Sequence, residues 1–238
     1  MKLPPDWRLC LVTDHRLAGA RPLEDIVAAA VRGGVTLVQL REKECSTRDF
    51  VELARSLKRI LAPTGVPLIV NDRADVAIAA CADGVHVGQS DMDCRDARGL
   101  LGPDAIIGLS VETAEQARQA ANLPVDYLGV GPIFATPTKP DAAPAWGLEQ
   151  LAALRRQTPR VLMAIGGIHA SNARLVREAG ADGIAVVSAL CAAPDPESAA
   201  RELRAAISFD MLAFPSRPTR RVDDVPIRGD QNDSQRSS

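Results

Sequence analysis

Three side chains at alternate positions of one short run carry the first chemistry in this chain: Gln39, Arg41 and Lys43 within Leu37-Val38-Gln39-Leu40-Arg41-Glu42-Lys43. An extended chain turns every second residue to the same side, so an amide, a guanidinium and an ammonium converge there. Arg offers a planar fork of donors and Lys a compact charge, a combination suited to phosphate oxygens. From this segment alone, two solvated cations paired with Glu42 or Glu44 fit equally well. Two further runs end Val70-Asn71-Asp72 and Val87-Gly88-Gln89-Ser90-Asp91. Mg²⁺ prefers a few oxygen ligands with room left for water and a substrate phosphate, and Asp72 with Asp91 supplies them. Singly, each aspartate reads as the cap of a following helix. Beside the cation cluster, the pair favours a metal-bound diphosphate.

Other apolar runs also end in polar or small residues. Gly166-Gly167 and Val187-Ser188 offer the backbone N–H groups that commonly hold a phosphate ester. Ser110 is a further hydroxyl, without the GxSxG surroundings of a hydrolase nucleophile. The stretch from Gly131 to Gly147 is long and proline-rich and contains Thr136, Pro137, Thr138 and Lys139. It reads as a lid with hydroxyl and cation contacts for anions; a rigid surface loop is the alternative. His15 falls in the first loop, His86 inside an apolar run and His169 at a helix start. They form no HExxH pair, which argues against a zinc centre or a histidine triad and leaves His86 as a hydrogen-bonded interior residue.

These residues need elements that bring them together, and the chain supplies a rhythm. Eight short apolar runs begin at Arg8, Val35, Pro67, Gly84, Ala105, Val125, Arg160 and Gly183, and helix-like stretches such as STRDFVELARSLKRILAPTG and SNARLVREAG separate them. Runs without polar alternation are strands buried on both faces of a parallel sheet. Eight βα units in about 200 residues predict a TIM (β/α)8 barrel, whose chemistry lies at the C-terminal strand ends, with phosphate commonly bound after strands seven and eight. With Val35 and Leu37 pointing inward, Gln39, Arg41 and Lys43 face the mouth. A doubly wound open sheet is the runner-up, disfavoured by the missing GxGxxG turn. Gly34, Gly84 and Gly183 read as sharp turns between helix and strand. The barrel is assigned to residues 1–207. Residues 208–238 are polar, contain three prolines and read as a disordered tail, in which Met211, Leu212 and Phe214 offer a possible homo-oligomer contact and Arg220 and Arg221 are offset by Asp223 and Asp224.

Composition narrows the class. The 238 residues are 46% hydrophobic, 24% charged and 3% aromatic with a formal net charge of -2, so a nucleic-acid surface has neither basic excess nor stacking platforms. No long apolar run or secretory leader is evident, which makes the cytoplasm the expected compartment and a membrane role unexpected. The five cysteines Cys10, Cys45, Cys81, Cys94 and Cys191 lack a CxxC pair and read as reduced thiols, mostly in the core. Cys45, near Arg41 and Lys43, reads as an inert loop thiol, with a lowered pKa as the alternative.

In order along the chain, QLREK (Gln39 to Lys43), VND (Val70 to Asp72), HVGQSD (His86 to Asp91), GLS (Gly108 to Ser110), GPIFATPTK (Gly131 to Lys139), AIGGI (Ala164 to Ile168) and AVVS (Ala185 to Ser188) resemble the thiamine-phosphate synthase family. The resemblance runs from about Leu9 to Ile207. It implies a transferase that joins 4-amino-5-hydroxymethyl-2-methylpyrimidine diphosphate to a thiazole phosphate, or its carboxylated form, giving thiamine phosphate and diphosphate. It further implies that Gln39, Arg41, Lys43, Asn71, Ser110 and Lys139 hold the pyrimidine diphosphate, with Leu40 and Glu42 in the same substrate-binding segment. Arg41, Lys43, Ser110 and Lys139 are then catalytic, and Asp72 and Asp91 bind Mg²⁺. Thr136, Pro137, Thr138, Gly167, Val187 and Ser188 correspond to the thiazole-phosphate contacts. A related thiazole tautomerase is the alternative enzyme, opposed by the retained QxRxK, both aspartates and TxTK. A ligand-binding relative without catalysis is the non-enzymatic alternative.

Overall fold

In a computed structural model, the structure describes residues 5–136, 138 and 144–208. Its elements run β1 Leu9–Val12, α1 His15–Ala18, α2 Leu23–Arg32, β2 Leu37–Leu40, α3 Thr47–Leu61, β3 Leu68–Asn71, α4 Ala74–Ala79, β4 Gly84–Val87 and α5 Cys94–Leu101, and continue β5 Ile106–Val111, α6 Ala114–Gln119, β6 Tyr127–Val130, α7 Gly147–Gln157, β7 Val161–Ile165, α8 Ala170–Glu178, β8 Gly183–Val186, α9 Ser188–Cys191 and α10 Pro196–Ile207. The strands close into a parallel barrel in chain order, with β1 pairing β8. All eight runs are strands, so the expected barrel is the observed fold. The expected tail lies outside the described residues apart from Ser208, as do Met211, Leu212, Phe214 and the Arg220/Arg221 pair.

Each strand buries both faces, which explains its unbroken apolar character. Cys10, Val12, Leu37, Ile69, Tyr127, Met163 and Ala185 fill the interior. Val38, Leu40, Leu68 and Val70, on the opposite pleat, pack against the helices. The helix α3 shows the complementary logic. Ser46 accepts the Asp49 N–H at its start, and Phe50, Ala54, Leu57 and Leu61 form one buried stripe at helical spacing. Burying each of the larger side chains contributes about 1.5–3 kcal/mol. Two details differ from expectation. Val35 belongs to the outer layer, because β2 starts only at Leu37 and Val35 is still leaving the turn. His15 starts the short α1, capped by Asp14, rather than lying in a loop.

Gly34 has φ +107 and serves as the expected turn. Gly84 and Gly183 do not take a left-handed conformation. They are small because a Cβ would stand 1.9 Å from the Ile106 carbonyl oxygen and 1.7 Å from that of Trp7.

A repeated latch ties neighbouring strands together at the N-terminal end of the barrel. Asp83 accepts the Leu68 N–H at 2.9 Å, Asp126 that of Ile107 at 2.7 Å and Asp182 that of Leu162 at 2.8 Å. Each carboxylate also meets a cation from the helix preceding the odd strand: Lys58, Arg98 and Arg155 respectively. At the fourth equivalent place the Leu9 N–H meets Thr36 Oγ1 at 3.1 Å. Arg204 passes over Gly34 as Arg155 passes over Gly180. With a hydroxyl in place of the carboxylate, Arg204 Nη1 is buried without a hydrogen-bond partner among the described residues, and its Asp6 neighbour is 4.0 Å away.

Candidate active site

The C-terminal strand ends surround a cavity of about 450 Å³. Its lining includes Gln39, Arg41, Lys43, Asn71, Asp72, Asp91 and Ser110 on one side, and Thr136, Thr138, Gly167, Val187 and Ser188 on the other. Cys10, Val12, Met163, Ile165 and Ala185 supply apolar wall beneath them. The pleat of β2 aims Gln39 inward and Leu40 outward into the helix layer, so the Leu40 side chain is away from the cavity. Glu42 also falls outside the lining; its carboxylate accepts the backbone N–H groups of Lys43 and Glu44 at 2.8 and 3.2 Å. Pro137 and Lys139, with the middle of the expected lid, lie outside the described residues.

The two cations at this rim do not pair with Glu42 or Glu44. Arg41 Nη1 is 3.3 Å from Asp14 Oδ2, and its backbone N–H is held by Thr13 Oγ1 at 3.0 Å. Lys43 Nζ is 2.6 Å from Asp72 Oδ2, while Glu44 pairs with Arg16. Both cations therefore remain within the mouth, partly neutralised by carboxylates that an anionic ligand can replace.

Asp72 stands just after β3 with φ +63, and its N–H is anchored on the His86 carbonyl at 2.8 Å. This left-handed conformation is tolerated by Asp but uncommon for residues with a Cβ, and it turns the carboxylate back over the mouth. Burial raises the Asp72 pKa first, Lys43 opposes that, and hydrogen-bonded and charge contact with Asp91 raises it again. Asp91 accepts the Gly88 N–H at 2.7 Å. Neither aspartate caps the next helix: α4 starts after Arg73, and Asp93 caps α5. Two adjacent carboxylates, one of them raised in proton affinity by the other, are a donor set that a hard divalent cation fits, with remaining positions for water and phosphate.

Beneath this rim lies a network of polar side chains. His86 Nε2 is 2.8 Å from Ser110 Oγ, and Nδ1 is 2.8 Å from the Tyr127 hydroxyl. Burial pushes the His86 pKa down to about 4, so the ring is neutral at neutral pH. Gln39 donates to Tyr127 at 3.4 Å, and Gln89 donates to the Ser110 carbonyl at 2.6 Å. The expectation that His86 is a bonded interior residue holds. Tyr127, Gln89, Thr13 and Asp14 were not singled out from sequence. The only tyrosine of the chain, inside an apolar run, was the available signal for Tyr127. Among the cysteines, Cys10, Cys94 and Cys191 are buried and Cys45 and Cys81 exposed, all as free thiols. Desolvation, then Glu42 and Asp49, push the Cys45 thiol up, so the alternative of a lowered pKa is corrected.

On the opposite side, Gly167 has φ +62, and a Cβ there would approach the Ala135 carbonyl to 2.8 Å. The lining thus presents bare backbone between β7 and the Thr136 segment, where Thr136 Oγ1 accepts the Thr138 N–H at 3.2 Å. The site has an acidic and cationic half, a small-residue half suited to a second anion, and an apolar floor between them.

The family model described as thiamine monophosphate synthase matches residues 9–190. A thiamine-phosphate synthase of Albidiferax ferrireducens is 64% identical over 197 residues, covering 83% of this chain and 90% of the relative. That of Syntrophomonas wolfei is 53% identical over 199 residues, covering 84% and 95%. Among solved structures, a thiamine phosphate pyrophosphorylase from Pyrococcus furiosus superimposes with a TM-score of 0.78 at 37% identity, covering 85% of this chain and 96% of that one.

Proposed function

The chain belongs to the thiamine monophosphate synthase family, and from that premise we propose that its cavity joins the two halves of thiamine phosphate. The acceptor is a thiazole phosphate or its carboxylated form, and the donor is 4-amino-5-hydroxymethyl-2-methylpyrimidine diphosphate. The observation that carries this reading is one mouth with Arg41 and Lys43 beside Asp72 and Asp91 on one side, Thr136, Thr138, Gly167 and Ser188 on the other, and an apolar floor between them.

Gln39, Arg41, Lys43, Asn71, Ser110 and Lys139 bind the pyrimidine diphosphate. Thr136, Pro137, Thr138, Gly167, Val187 and Ser188 receive the thiazole phosphate. Asp72 and Asp91 hold Mg²⁺, which, when bound, neutralises charge on the diphosphate oxygens. As the methylene carbon–oxygen bond breaks, negative charge grows on the departing diphosphate, where Arg41 and Lys43 are already placed and Ser110 offers a hydroxyl. The electron pair leaves with that oxygen. The pyrimidinylmethyl cation, stabilised by its ring amino group, is then captured by the lone pair of the thiazole nitrogen. The fixed geometry of the two halves brings the nitrogen to the carbon, and the apolar wall of Met163, Ile165 and Ala185 limits competing capture by water. No protein nucleophile is needed. The enzyme acts on small molecules in the cytoplasm.

Incubating the protein with both substrates and Mg²⁺, with and without EDTA, and oxidising any product to fluorescent thiochrome tests the proposal. Metal-dependent thiamine phosphate is expected. Folded protein that makes none would move the reading to the tautomerase or to binding alone.

A further inference from the structure

Hydrogen bonds cross the floor of the site to Ser110 through two residues given no role above, His86 and Tyr127. His86 on β4 lies between Tyr127 on β6 and Ser110 on β5, at 2.8 Å from each. Two strand positions are cleared for this arrangement. A Cβ at Gly108 would stand 2.4 Å from His86 Nδ1, and one at Gly129 2.8 Å from His86 Cε1.

The direction of each bond follows from the donor and acceptor inventory. Tyr127 is 1% exposed, and a buried O–H without an acceptor is costly. Gln39 meets the phenol oxygen with an N–H, which accepts nothing, so the Tyr127 hydrogen goes to His86 Nδ1. A neutral imidazole that accepts at Nδ1 carries its proton at Nε2 and donates it to Ser110 Oγ. A ring that accepts at one nitrogen and donates from the other is the neutral imidazole, so the two contacts together fix its charge and its tautomer. Having accepted from the ring, Ser110 turns its own hydrogen elsewhere, and the open direction is the cavity. Gln89 fixes the Ser110 main chain through its carbonyl.

We propose that Tyr127 and His86 are positioning residues that lock the Ser110 hydroxyl as a hydrogen-bond donor toward the leaving diphosphate. The assignment of the anion rests on the function proposed above. Without the phenol, the imidazole is free to carry its proton at Nδ1. Ser110 then donates to the bare Nε2 and turns a lone pair toward the anion.

Long-range proton–nitrogen correlation spectra of the full chain labelled with ¹⁵N-histidine read the tautomer directly. The His86 signal is the one that remains in a protein carrying His15→Gln and His169→Gln, the other two histidines of the chain. The expected result is Nε2–H in the unmodified protein and a gain of Nδ1–H in Tyr127→Phe. Tyr127→Phe should lower kcat about tenfold or more, with each KM changed less than about threefold. Added to Ser110→Ala it should cost nothing further, because the effect passes through Ser110. An Nδ1–H tautomer in the unmodified protein overturns the proposal even if Tyr127→Phe fails to fold, and so does full additivity of the two substitutions. If the unmodified protein makes no thiamine phosphate, the function reading fails, while its tautomer still decides whether Ser110 is locked as a donor.

Discussion

Lys43 Nζ lies 2.6 Å from Asp72 Oδ2, joining the ends of β2 and β3 across the mouth of the barrel. The ion pair holds the ammonium at the rim, and Asp91 presses on the same carboxylate from the other side. Asp72 therefore faces one cation and one like charge, a balance that a divalent ion and a diphosphate would resettle together.

Asp72→Asn tests that balance, since Asn tolerates the φ of +63 as Asp does. Turnover is expected to fall about a hundredfold and the Mg²⁺ needed for half-maximal rate to rise about tenfold. The melting temperature should hold or rise, because repulsion from Asp91 is gone. Rates titrated against Mg²⁺, with a thermal melt of the same sample, check it; a large drop in melting temperature would assign Asp72 to the fold instead.

Arg41→Ala should separate catalysis from stability. Its partly exposed pair with Asp14, at 3.3 Å, contributes at most about 1 kcal/mol. A loss of transition-state charge stabilisation costs about 100- to 1,000-fold in kcat/KM. Steady-state kinetics beside denaturant unfolding should show that contrast, and unchanged rates would remove Arg41 from the proposed machinery. Lys139→Ala should behave in the same way.

The incomplete latch at Thr36 offers a stabilising substitution. Thr36→Asp places a carboxylate before Arg204 as Asp182 stands before Arg155, and should add about 1 kcal/mol. Asp182→Ala strands the Leu162 N–H and removes the counter-ion of Arg155, whose Nη2 keeps the Thr158 and Arg160 carbonyls, and should cost about 2–3 kcal/mol. Urea unfolding of both variants measures the difference. A destabilised Thr36→Asp protein would show that the fourth position is not equivalent to the other three.

His86 makes stability depend on acid. Its pKa falls from 6.5 to about 4 on folding, chiefly by burial, with Asp91 opposing the shift and Tyr127 and Ser110 bonded to the ring. Between those values the unfolded chain binds the extra proton, so this contribution is constant above about pH 6.5 and declines as pH falls toward 4. The full effect is about 3 kcal/mol. Unfolding free energies from pH 7 to pH 4.5 should show the decline, and a flat curve would contradict a neutral buried ring.

The fold was legible because its signals are local. Unbroken apolar runs such as Leu9–Val12 and Gly183–Val186, separated by helical stripes, leave few architectures besides a closed parallel barrel. The polar residues at the run ends then mark the rim, which is why Gln39, Arg41, Lys43, Asn71, Asp72, Asp91 and Ser110 could be named before their neighbours were known. Which groups touch was decided only by tertiary structure, because strand register and barrel closure bring together residues far apart in the chain. The choice of Asp14 and Asp72 over Glu42 and Glu44 as cation partners, the placing of His86 between Tyr127 and Ser110, and the missing carboxylate before Arg204 all arise from such contacts. Leu40 shows the same limit from the other side: its place in QLREK suggests a contact, while the pleat that aims Gln39 inward sends Leu40 into the helix layer.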